Sequence, residues 1–220
     1  EPVLGEGGYF PAPTAFLQGI REICDEHGIL FIADEVQCGF ARTGRMFFVE
    51  ESGVRPDILV MAKGIASGFP IAAIGASADL MAKWPVGSHG GTYGGNPMGC
   101  AAALATIDVL TAAGFLSNVV DRGAQLRDGL RSIAQDHPVI ADVRGPGLMV
   151  AAELRDPATG EPDAARTAAV IAHCRTESNL LLMNAGTWGN IIRFMSPLVV
   201  TEAEMTLAID AVRAAVVATV

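Results

Sequence analysis

Apolar residues along this chain recur in two rhythms. Ala15, Phe16, Ile20, Ile23 and Cys24 fall at helical spacing, which predicts an amphipathic helix over residues 14–27, ended by Gly28. Ile29-Leu30-Phe31-Ile32-Ala33 follows at once, the continuous apolar run of a strand buried in a parallel sheet. A helix feeding such a strand is half of a βαβ unit. A second run covers residues 58–61 after Pro56-Asp57, and a third spans 70–76. Asn96-Pro97 has the form of an N-cap with proline at the first helical position, opening an alanine-rich helix to about residue 113. Beyond Gly114 the texture changes. A helix to about residue 136 leads into strands over 139–143 and 148–154, split by Arg144-Gly-Pro-Gly147. A helix over 163–177 then precedes strands at 180–183 and 191–194. Thr201-Glu-Ala-Glu204 is a capping-box pattern, and Met205, Ile209, Val212 and Val216 give the last helix its apolar stripe. The pattern predicts an α/β layer over residues 1–116 and a smaller α+β domain over 117–220.

Composition narrows the class. Half the positions are apolar and 18% are charged, which excludes a disordered chain. Fifteen Lys and Arg against 24 Asp and Glu leave a net charge of −9, and no basic face for nucleic acid or anionic lipid is evident. The cysteines at 24, 38, 100 and 174 form no CxxC pair and no dense framework, the usage of a reducing compartment. No apolar run approaches the roughly 18 residues of a membrane span. The expectation is an acidic cytoplasmic protein without nucleic acid, membrane or metal as partners. The opening Glu1-Pro-Val-Leu-Gly-Glu-Gly-Gly8 has no basic or apolar targeting segment and starts inside a glycine-rich loop, so the chain reads as a piece of a longer protein.

Three places carry candidate chemistry. Asp34 and Glu35 sit where the run 29–33 ends, and ligands of open parallel sheets bind beyond the carboxyl ends of the strands. Taken alone, the pair equally well opens a solvated loop. Lys63 ends the stretch 58–62 and precedes Gly64-Ile-Ala-Ser-Gly68. A lysine there is commonly a snorkelling surface cation, yet a desolvated one gives up its proton and attacks carbonyl carbon. His89-Gly-Gly-Thr-Tyr-Gly-Gly-Asn-Pro97 offers backbone N–H groups, a hydroxyl and a helix start to a phosphate, and fits neither P-loop nor GxGxxG spacing.

Four segments in order resemble one family: Glu1-Pro-Val-Leu-Gly-Glu-Gly-Gly8, Ile32-Ala-Asp-Glu-Val-Gln37, Met61-Ala-Lys-Gly-Ile65 and the loop 89–97 look like the class III aminotransferases. Within that class the stretch Gly186-Thr-Trp-Gly-Asn-Ile-Ile-Arg-Phe-Met-Ser-Pro-Leu198 is most similar to the 4-aminobutyrate aminotransferase subgroup. The resemblance implies the C-terminal part of the PLP-dependent transferase fold (aspartate-aminotransferase type), with a parallel-rich sheet and pyridoxal 5'-phosphate as cofactor. It implies that Lys63 bonds the cofactor and then carries a proton, and that Asp34 holds the protonated pyridine nitrogen. Val36 packs on the ring in that family, Gln37 bonds its phenolic oxygen, and Thr92 touches the phosphate from a neighbouring subunit, which implies a homodimer. Arg193 corresponds to the clamp on a substrate carboxylate, and Glu6 to the acid that pairs with Arg193 while an ω-amino substrate is bound.

The implied reaction is amine exchange between an ω-amino acid, foremost 4-aminobutyrate, and 2-oxoglutarate. An ornithine or diamine aminotransferase, a glutamate-semialdehyde aminomutase and a non-catalytic fragment are the rival readings. Family members run longer, with a phosphate-cradling loop ahead of residue 1, so a 220-residue piece alone is expected to be inactive or poorly folded.

Overall fold

The computed structural model describes residues 1–219. The chain divides into two compact units, one of Glu1–Val3 with Ala12–Leu116 and one of Leu4–Pro11 with Ser117–Val220.

Two short strands open the chain, β1 (Val3–Leu4) and β2 (Phe10–Pro11). The turn between them is closed by the Tyr9 N–H on the Leu4 carbonyl at 2.9 Å and the Gly8 N–H on Gly5 at 3.0 Å. In the first unit α1 (Thr14–His27) ends where expected, because Gly28 takes the left-handed conformation (φ 63°) that few other residues adopt without strain. Its buried stripe, Leu17 and Cys24, packs on Phe31. The following strand is shorter than the apolar run. Ile29 turns its N–H back onto the Cys24 carbonyl as part of the helix cap, and β3 covers only Ile32–Asp34. Asp57 fixes the junction: its Oδ2 accepts from the Phe31 N–H and from Arg21 of α1, each at 2.7 Å.

Strand β4 (Ile58–Met61) lies parallel to β3, with Asp34 opposite Val60. Strand β5 (Ala73–Ala76) pairs with β4 antiparallel, so this sheet is mixed rather than wholly parallel, and residues 70–72 stay outside it. After a short helix α2 (Ala78–Met81), α3 (Pro97–Leu110) starts at Asn96, whose side chain accepts the Gly99 N–H at 2.8 Å. Large apolar side chains of this unit stand open, among them Ile29, Leu30, Ile32, Ile74 and Leu104.

The second unit has the larger buried core. The long α4 (Phe115–Asp136), whose first turn belongs to the other unit, buries Val119, Leu126, Leu130 and Ile133. Strands β6 (Ile140–Arg144) and β7 (Val150–Leu154) follow, then α5 (Ala164–Ser178), β8 (Met183–Ala185), β9 (Ile191–Phe194) and α6 (Glu202–Thr219). The four strands form an antiparallel sheet in the order β6-β7-β9-β8. Every residue of β7 and β9 is buried. The strand expected at 180–183 begins at Met183, because Asn179 caps α5 in the left-handed conformation (φ 53°) and the Leu180 N–H bonds back to Cys174. The capping box forms on α6: the Thr201 N–H donates to Glu204 Oε2 at 2.8 Å, and the Glu204 N–H to Thr201 Oγ1 at 3.3 Å. These bonds hold the Glu204 carboxyl below the usual range. Among the described residues no single helix is long and apolar enough to cross a membrane.

Candidate functional site

Parallel pairing brings the carboxyl ends of β3 and β4 to one edge of the sheet. Asp34 ends β3, and Lys63 lies three residues beyond its register partner Val60. Asp34 is half-buried, and its Oδ1 accepts the Val36 N–H at 3.0 Å, which fixes the plane of the carboxylate. Lys63 is exposed and stands at φ 44°, left-handed backbone that costs a side-chain-bearing residue about 1–2 kcal/mol. A turn that spends that energy on a lysine is a place where its position matters. Helix α3 backs this turn, with the hydroxyls of Thr106 and Ser67 3.2 Å apart.

Glu35, adjacent to Asp34, points the other way and is fully buried. Its Oε1 accepts the Val49 N–H at 2.7 Å and its Oε2 the Cys38 thiol at 2.9 Å. The carboxylate thereby ties the loop bearing Val36 and Gln37, both half-buried, to the helical turn at Phe48–Ser52. Sequence reasoning left Glu35 without a role; the strand alternation that turns it away from Asp34 is the signal that finds it. Cys38 is buried against this carboxylate. Burial, and then the neighbouring Glu35 charge, push its pKa up and keep it protonated. Gly39 makes the loop possible: its N–H bonds the Glu35 carbonyl at 2.9 Å, and a Cβ there would stand 2.7 Å from that oxygen.

Thr92 lies in the exposed glycine-rich turn between α2 and α3. His89 of that turn rests beside the Trp84 ring at 5.3 Å.

In the second unit Arg193 on β9 is 7% exposed, and its guanidinium pairs with Glu6 of the opening loop. The two residues are 187 positions apart in sequence. Arg193 Nε is buried with no hydrogen-bond partner, a donor still able to take an acceptor. Arg144 on β6, which sequence reasoning placed only at a turn, is a second nearly buried guanidinium on this sheet. It bonds Asp142 at 2.6 Å, Glu153 at 2.8 Å and, through Nε, the Gly8 carbonyl at 2.9 Å.

The sequence profile described as aminotransferase class-III matches residues 1–216. The chain belongs to the class-III aminotransferase family. It is 45% identical over 206 residues to the 4-aminobutyrate aminotransferase GabT of Escherichia coli, covering 93% of this chain and 48% of that protein. It is 46% identical over 203 residues to the 5-aminovalerate aminotransferase DavT of Pseudomonas putida, covering 92% and 48%. An acetylornithine aminotransferase of Rhodobacter capsulatus is 42% identical over 216 residues, covering 98% and 52%. The chain thus spans about half the length of the curated relatives it matches. The crystal structure of a Bacillus anthracis aminotransferase superposes with a TM-score of 0.91 at 33% identity, over 99% of this chain and 51% of that one.

Class-III aminotransferases depend on pyridoxal phosphate. The first unit fits that group by the chemistry of its donors: a hydrogen-bonded carboxylate for a pyridinium N–H, and an exposed lysine on left-handed backbone, at and just beyond the ends of adjacent parallel strands.

Proposed function

We propose that the protein of which these residues are part transfers an amine between an ω-amino acid, foremost 4-aminobutyrate, and 2-oxoglutarate. The observation that carries the reading is the common edge at which Asp34 and the left-handed Lys63 end their parallel strands. When bound, pyridoxal phosphate supplies an electron sink for the carbanion formed at the amine-bearing carbon. Asp34 keeps the pyridine nitrogen protonated, since a fixed negative charge favours that proton. Val36 lies against the ring and Gln37 bonds its phenolic oxygen. Lys63 Nζ removes and returns the proton at the reacting carbon, general acid–base work by a positioned amine. Thr92 takes the phosphate of a neighbouring copy, so a homodimer belongs to the proposal.

Arg193 takes a substrate carboxylate in the two-pronged way that lysine does not offer. Its unpartnered Nε supports this, because a carboxylate satisfies a donor that is otherwise buried at a cost of about 1–3 kcal/mol. Glu6 neutralises Arg193 while the ω-amino acid is bound and yields it to the α-carboxylate of the oxo acid. A second donor class, acetylornithine, is favoured by the similar identity of the relative that bears that name.

The test is a visible spectrum of the protein with pyridoxal phosphate, before and after borohydride reduction, in wild type and Lys63→Ala. A band that reduction fixes onto the peptide containing Lys63, absent in the variant, is the expected result. The same labelling in Lys63→Ala overturns the assignment. Amine-donor screening of the labelled protein, 4-aminobutyrate against acetylornithine, then decides the substrate.

A further inference from the structure

Arg144 and Arg193 stand in one cross-strand row. Arg144 is opposite Ala151, Ala151 is opposite Arg193, and Arg193 is opposite Met183. Directly opposed residues share a face, so both guanidinium groups rise from the same side of the sheet, about 10 Å apart at the backbone. Ala151 between them is too small to separate the two side chains. The loop of residues 5–10 lies on this face; besides the fully buried Tyr9, four contacts among those that hold it are these. Glu6 meets Arg193 through its side chain, while its carbonyl accepts the Gly186 N–H at 3.0 Å. The Gly8 carbonyl accepts from Arg144 Nε at 2.9 Å, and the Phe10 ring lies under the Arg144 guanidinium, 3.7 Å from its centroid.

Two of those four holds belong to Arg144. Its positive charge is met on the same face by Asp142 and Glu153, and Glu153 is shared with Arg155 at 2.6 Å. Arg144 therefore sits in a locally neutral set of two cations and two anions. Its Nε and its flat face are spent on the loop's backbone and ring, while Nη1 serves Asp142 and Glu153.

We propose that Arg144 is a positioning residue that sets how firmly Glu6 covers Arg193, and through it the preference between a monocarboxylate amine and a dicarboxylic acid. This rests on the reading of Arg193 and Glu6 given under Proposed function. Glu6 and an incoming carboxylate compete for one guanidinium, so the apparent affinity for the carboxylate falls in proportion to the strength of the internal pair. Glu6 is largely exposed, and the loop that carries it sets where its carboxylate reaches. That loop is held by Arg144 at Gly8 and Phe10.

The experiment is a double-mutant cycle read by glutarate binding in calorimetry. Glutarate presents a second carboxylate but has no amine to react. Glu6→Gln is expected to tighten glutarate by about 10-fold, about 1.4 kcal/mol. Arg144→Gln should tighten it about 3- to 10-fold on its own and have no further effect in the Glu6→Gln background. A tightening or weakening that persists undiminished without Glu6, or no change in glutarate affinity from Arg144→Gln, overturns the proposal. Unchanged affinity in Glu6→Gln itself overturns the competition between Glu6 and substrate, and this proposal with it. Phe10→Leu, at a half-exposed position, repeats the test with every ion pair of Arg144 intact and with less risk to folding. It should give a smaller tightening, again only where Glu6 is present.

Discussion

The two units solve the problem of placing a reactive side chain in opposite ways. In the second, Arg193 emerges from a strand with every residue buried, within a sheet packed on α5. Its position follows from packing. In the first, β3 and β4 carry Asp34 and Lys63, yet Ile32 of β3 is 53% exposed and β4 is only half-buried. Position there comes from hydrogen-bonded turns: Asp34 on the Val36 N–H, Glu35 on Cys38 and Val49, and Gly39 folded against Glu35. A site can be rigid locally without a deep core beneath it, provided the backbone polar groups around it are satisfied.

The sharpest way to break this comparison is to remove apolar volume from each unit. Leu130→Ala, at a fully buried position of α4, should cost about 2–5 kcal/mol in urea unfolding, whereas Ile32→Ala should cost less than about 1 kcal/mol. Equal costs would show that the first sheet is covered after all. Glu35→Ala probes the turns instead. It leaves the buried Val49 N–H and the Cys38 thiol without their acceptor, and should cost about 1–3 kcal/mol. The same substitution should make Cys38 react faster with a thiol reagent at neutral pH, because it removes the charge that opposes the thiolate. A thiol as inert as in wild type would mean that desolvation alone sets its pKa.

The smallest effect concerns Asp57. The Arg21 hydrogen bond, and then the Phe31 N–H, hold its carboxyl below the usual range. A depressed carboxyl stabilises the fold above its unfolded pKa of about 4 and loses that contribution as pH falls through the folded value. Asp57→Asn should therefore be less stable than wild type at pH 7 and lose less on acidification to pH 3. Parallel decline of the two unfolding midpoints would remove Asp57 from the acid response.

Helix limits were legible because their signals are local: Gly28 after α1, Asn96-Pro97 before α3, the Thr201/Glu204 box before α6. Several strand starts were not, and two of them share one reason. Ile29 and Leu180 are apolar and strand-like, but each follows a left-handed cap and spends its N–H on Cys24 or Cys174 of the helix just ended. Periodicity does not reveal where a donor goes. The antiparallel pairing of β5 was equally hidden, since an apolar run has no direction. Of the candidate residues, Asp34, Lys63, Glu6 and Arg193 were singled out through motifs. Arg144 and Glu35 were passed over because their roles come from partners far along the chain or on the opposite side of a strand.

The segment Leu4–Pro11 precedes α1 in sequence but belongs with Ser117–Val220 in space. The second unit is thus discontinuous along the chain, and it cannot be completed from its own contiguous stretch. During synthesis, which proceeds from the amino end, Glu6 is made nearly two hundred residues before its partner strand. Of all the contacts described, the one between Glu6 and Arg193 spans the greatest length of chain, so it closes one of the last loops the protein makes.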